Sequence, residues 1–98
     1  MTLHWSARAL ARLNQIHAHI AKDDPSAAMR TVQQIVRRAG QLVQFPNSGR
    51  CVADYARDDV RELLEGQYRI VYRLGKDHVE MLTVKHAAQR LPANLRHL

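Results

Sequence analysis

Partway along this chain the spacing of its apolar residues changes, and no single repeat covers both halves. Through Leu42 apolar residues recur every three or four positions, whereas from Val60 they alternate with polar ones. The first spacing lays a stripe along a helix, and the second gives a strand two unlike faces. With 98 residues there is room for one core, because two would each be too small to stand alone. Helices and strands must share it, in a single domain over 1–98.

The helical half divides in two. Ser6 is a good N-cap, and Leu10, Leu13, Ile16 and Ile20 follow at helical steps to an end near Lys22. Asp24 and Pro25 then restart the chain, Asp24 as an acceptor for exposed amides and Pro25 where no amide donor is needed. Ala28, Val32, Ile35, Ala39 and Leu42 form the next stripe. The short link "KDDPS" makes the helices antiparallel neighbours, and "FPNSGR" ends the pattern with Pro46 and Gly49.

The second half reads as strands at 60–65, 67–74 and 78–86, separated by turn signals at Gly66 and "GKD". Tyr68, Ile70, Tyr72 and Leu74 point one way; Arg69, Val71 and Arg73 point the other, onto an expected solvent face. The expected fold class is α+β: an N-terminal strand, then a two-helix hairpin packed on a three- to four-stranded antiparallel sheet. The tail 87–98 has no firm period and is expected to be flexible.

Fifteen Lys and Arg against nine Asp and Glu give a formal charge of +6, which favours an acidic partner. No apolar run approaches the ~18 residues of a membrane span, and the single Cys51 excludes an internal disulfide, so the cytoplasm is the expected location. No metal or other cofactor is expected. His17 and His19 diverge on a helix, and His4, His78, His86 and His97 lie on separate elements without ligand spacing. Cys51 reads best as a small apolar residue. RNA cleavage would need a base, an acid and cations near phosphate. His86 with Arg61, Arg69, Arg73, Lys85 and Arg90 could supply them, although Lys85 and His86 point to opposite faces.

The order of the pieces resembles the ParE branch of the ParE/RelE toxin superfamily over nearly the whole chain. The resemblance is carried by "WSARALARLNQIHAHIAKDDPSAAMRTVQQI", "LVQFPNSGR", "VRELLEGQYRIVYRL" and "MLTVKHAAQR", in order and with matching spacing. It implies the toxin half of a bacterial toxin–antitoxin pair, neutralised by a cognate antitoxin whose disordered acidic segment folds on it. It also implies DNA gyrase as the target, with a role in plasmid or genome stabilisation. A RelE-like ribosome-dependent mRNA interferase, or a degenerate member that only binds antitoxin, is the alternative. The family positions fall on Gly49, Arg50, Arg61, Tyr68, Arg69, Tyr72, Arg73, His86 and Arg90. The stretch "CVADYARDDV" holds three aspartates where the nuclease branch is densely basic, and these would repel an RNA backbone. The expectation is therefore a binding toxin without catalytic residues. Arg50, Arg61, Arg69, Arg73, Lys85, His86 and Arg90 would contact the target, and Arg30, Arg37 and Arg38 the antitoxin.

Overall fold

The computed structural model describes residues 1–94. A strand β1 (Thr2–Trp5) leads into helices α1 (Ala7–Ala21) and α2 (Pro25–Gly40), a 3-10 turn (Gln41–Val43), and strands β2 (Arg50–Cys51), β3 (Val60–Glu65), β4 (Tyr68–Leu74) and β5 (His78–His86). Both helix starts follow the expected chemistry. The Ser6 hydroxyl accepts the Ala9 amide at 3.0 Å, and the Asp24 carboxylate accepts the Ala27 amide at 3.1 Å with Pro25 in the first turn.

The sheet has five strands in the order β1-β5-β4-β3-β2. It is mixed: β1 runs parallel to β5, pairing Thr2 with His78 through Trp5 with Met81, while the remaining pairs are antiparallel. The expected three to four antiparallel strands are thus extended by a two-residue edge strand and by the first strand returning beside the last. Gly66, at φ +57°, opens the two-residue turn between Glu65 and Tyr68, as a type II′ turn demands.

Within β5 the alternation slips. Val71 pairs with Thr83 but Tyr72 pairs with Met81, so Leu82 is an extra residue in a bulge. The slip lets Val79, Met81 and Val84 all face the helices, where they meet Ala9, Leu13, Ile35, Ala39, Leu42, Leu63, Ile70 and Tyr72. Ser6 fixes the bulge from outside: its amide donates to the Met81 carbonyl and its hydroxyl donates to that of Leu82. One residue thereby caps α1 and ties it to the irregular part of β5.

The face opposite the helices is not simply wet, as the alternation suggested. Val52, Tyr55, Val60, Val71, Leu82 and Leu91 form a second, smaller core there. Leu91 is buried in it and the Tyr55 hydroxyl donates to the Pro92 carbonyl at 2.6 Å. Within the tail expected to be flexible, Leu91 and Pro92 are therefore held against the sheet by an apolar anchor and a hydrogen bond. The end of that tail, with His97, lies outside the described residues.

Candidate functional site

The arginines of the sheet do not form one free patch. Arg69 is turned to the far face, where its Nε and Nη2 donate to the two carboxylate oxygens of Glu62 at 2.8 and 2.9 Å. Glu62 is almost wholly buried, with its side chain 2% exposed, and Arg50 approaches it at 3.5 Å while Asp54 lies 3.7 Å from Arg69. The fork-to-carboxylate pairing with Glu62 holds the Arg69 guanidinium above its usual range, against the opposing effect of burial. Arg69, an expected target contact, is thus tied to a carboxylate that would be costly to bury alone.

Arg61 lies on the helix-facing side, opposite Tyr72, and donates to the carbonyls of Gly49 at 2.9 Å and Asp58 at 3.2 Å. Tyr72 completes this clamp, accepting the Gly49 amide and donating to the Pro46 carbonyl, each at 2.9 Å. A Cβ on Gly49 would stand 2.8 Å from the Glu62 carbonyl oxygen, so the glycine is there for close approach. Burial pushes the Tyr72 phenol up, partly offset by the Gly49 amide. Arg73 donates to Glu80 at 3.1 Å across β4 and β5. Of the expected set on the sheet, Arg50 keeps the most exposed side chain.

His86 is oriented by its neighbours. The Ala88 amide can only donate, so the Nδ1 it reaches at 3.1 Å is the unprotonated nitrogen, and Nε2 carries the hydrogen toward Gln67 Oε1 at 3.1 Å. The backbone amide of His86 donates to Gln89 Oε1 at 3.1 Å, and its ring meets Tyr68 edge-on at 5.8 Å. Both ring nitrogens are thus engaged, which leaves neither to exchange a proton with a substrate without breaking a bond. Lys85 faces the other way, beside Arg69 in the register. Burial lowers its ammonium below the usual lysine range, with the Arg12 charge adding to the effect. Arg90 is exposed on the tail.

On the helical hairpin, Arg30 and Arg37 are exposed, but Arg38 is not free: its Nε donates to the Leu64 carbonyl at 3.2 Å and lies 4.0 Å from Glu65. It satisfies the open end of β3, beyond the residues that β2 pairs. Sequence reasoning missed that α2 also exposes Met29 and Val36, two turns apart, with Val43 just beyond. Their seven-residue spacing was the available signal. No Asp or Glu occurs within either helix. Among the described residues no group of three or more His, Cys, Asp or Glu could hold a metal ion. The arrangement suits contact through cations and apolar side chains.

Three comparisons agree with this architecture. The family described as the ParE toxin of type II toxin–antitoxin systems, parDE, matches residues 3–91. A Sinorhizobium fredii protein named as a toxin, Y4kP, is 44% identical over 92 residues, covering 92% of both chains. Toxin RelE2 of Caulobacter vibrioides is 33% identical over 86 residues, covering 87% of this chain and 93% of its own. A solved chain of the chromosomal ParDE toxin–antitoxin system of P. aeruginosa superposes with a TM-score of 0.73 at 28% identity, covering 88% of this chain and 95% of that one. From sequence match, shared topology and the order of its elements, the chain belongs to the ParE toxin family of type II toxin–antitoxin systems.

Proposed function

We propose that this toxin acts by binding DNA gyrase and blocking replication, with no bond made or broken at its own side chains. The observation that carries the reading is the engagement of His86. Its Nδ1 accepts from Ala88 and its Nε2 donates to Gln67, so the histidine that closes β5 is committed to structure. Arg69, Arg61 and Arg73 are likewise held by Glu62, by turn carbonyls and by Glu80, while Arg50, exposed beside Glu62, is offered to a target together with Lys85 and Arg90. Asp54, Asp58 and Asp59 in the loop before β3 oppose an RNA strand there. A cytoplasmic location follows from such a target, and no helix among the described residues is long and apolar enough to cross a membrane.

The antitoxin is assigned to the outer side of the helical hairpin. Met29 and Val36 offer apolar contacts at the spacing of two helical turns, Arg30 and Arg37 flank them, and neither helix holds an acid that would repel an acidic partner. A segment that orders on contact needs such an extended surface to offset its lost entropy.

The similarity to a relative named Toxin RelE2 favours a second reading, ribosome-dependent RNA cleavage. Purified gyrase with supercoiled plasmid, run beside primer extension on translated mRNA, separates the two. Accumulated cleavage complexes with intact transcripts support the gyrase reading; transcripts cut at the ribosome, with gyrase unaffected, refute it.

A further inference from the structure

Beyond target and antitoxin, a cleft of about 360 Å³ opens between α1 and the C-terminal half of β5. Its floor is apolar, formed by Ile16 and Val84, and the rings of Tyr68 and His86 stand along one side at an interplanar angle of 81°. Arg12, Gln15 and His19 from α1 and Gln89 from the tail complete the lining. No Asp or Glu occurs in residues 7–22, 66–76 or 81–94, the stretches that build it. We propose that this cleft binds a nucleotide whose base carries ring carbonyls, a uridylate or thymidylate, without cleaving it.

Hydrogen-bonding capacity selects the ligand. Gln15 Oε1 already accepts from Arg12 at 3.1 Å and Gln89 Oε1 from the His86 amide at 3.1 Å; both partners can only donate, which fixes the orientation of each amide. One of the two acceptor positions of each oxygen is filled, and both NH₂ groups remain to donate. The remaining guanidinium hydrogens of Arg12 also donate. The cleft therefore offers donors and wants an acceptor-rich guest. A phosphate suits Arg12, and the carbonyls of uracil or thymine suit two amide NH₂ groups, whereas the amino group of adenine finds fewer acceptors.

Shape argues the same way. An acidic peptide would bring acceptors too, but an Asp or Glu side chain has no flat apolar body to cover Ile16 and Val84 or to lie against the two rings. A pyrimidine does, and base stacking on aromatic side chains is a general mode of nucleotide recognition. The volume is that of a small-ligand pocket. His86 serves as a fixed wall, since the hydrogen bonds from Ala88 and to Gln67 hold its plane.

The test is calorimetric titration of the full chain with uridine monophosphate, thymidine monophosphate, adenosine monophosphate, inorganic phosphate and a short oligouridylate. An acidic peptide serves as competitor. Saturable binding of the two pyrimidine nucleotides, with adenosine monophosphate and phosphate weaker by about tenfold or more, is expected from the loss of at least one hydrogen bond to a charged or polar partner. Oligouridylate no tighter than the monomer would identify a free nucleotide as the ligand; a much tighter oligomer would identify a strand end. Gln89→Glu keeps the acceptor for the His86 amide but replaces the donor NH₂ with a negative charge, so it should fold normally, by circular dichroism, and lose binding. Arg12→Glu should do the same. Retained affinity in folded Gln89→Glu and Arg12→Glu overturns the proposal. So does failure of every mononucleotide to bind, base-independent binding of the oligomer alone, or equal displacement by the acidic peptide.

Discussion

Replacing Arg69 with alanine tests whether the central guanidinium of the sheet is a structural strut or a contact for a partner. The substitution leaves the Glu62 carboxylate, with its side chain 2% exposed, beside Arg50 alone at 3.5 Å. Breaking a buried pair by removing one member costs about 3–5 kcal/mol. The remaining Arg50 and the partial exposure of Arg69, at 14%, place the expected loss near the lower end, about 3 kcal/mol. That is a large share of the ~5–15 kcal/mol that holds a domain together. At roughly 4–8 °C per kcal/mol for a chain of this size, the midpoint should fall by more than about 10 °C. Urea unfolding followed by circular dichroism measures it, with the slope against denaturant unchanged. The control is the double substitution Arg69→Met with Glu62→Leu, which removes both charges and should recover stability to within about 1 kcal/mol of the parent. A loss below about 1 kcal/mol for Arg69→Ala, the range of an exposed ion pair, would refute the reasoning and return Arg69 to the contact surface.

Two further outcomes follow from other parts of the sheet. Tyr72→Phe should cost about 1–3 kcal/mol in the same unfolding assay, because the Gly49 amide and the Pro46 carbonyl both lose their partner in a buried clamp. The Asp59 carboxyl, held below its usual range chiefly by the Arg57 hydrogen bonds at 2.9 and 2.6 Å, favours folding while ionised. Its contribution is present above the pKa of a free aspartate and lost as pH falls through the lower folded value, so carboxyl NMR should show it titrating below free aspartate, and Arg57→Ala should abolish the difference.

The local pattern reached far into this fold because its signals are local. Ser6 and Asp24 cap helices through amides three residues on, and a two-residue turn at Gly66 needs little beyond its own glycine. What escaped the sequence is non-local. The pairing of β1 with β5 joins residues separated by the whole helical hairpin, and nothing in "TLHW" names its partner. The second core needs Val52 and Tyr55 from an acidic loop and Leu91 from a tail without periodicity. The bulge had a visible trace, since "MLTV" interrupts strict alternation, but only the register shows that Leu82 is the extra residue. The Glu62–Arg69 pair is a different case, because its signal lies within one hairpin. With the Gly66 turn fixing the hairpin, Glu62 and Arg69 fall on one face of adjacent strands, diagonal to each other, and their pairing could have been inferred. Arg38 gave no such clue, because its acceptor is a backbone carbonyl on another element.

The parallel seam between the first strand and the last has a consequence for how such a protein comes into being. During synthesis Leu3 and Trp5 emerge early, yet the residues they lie beside, Val79 and Met81, are made only after both helices and strands β2, β3 and β4. Contacts so distant along the chain form late. A nascent polypeptide arrested before His78 thus lacks the strand that both the leading edge and β4 require. Poison and scaffold are completed together, so a truncated translation product should be harmless to the cell that made it.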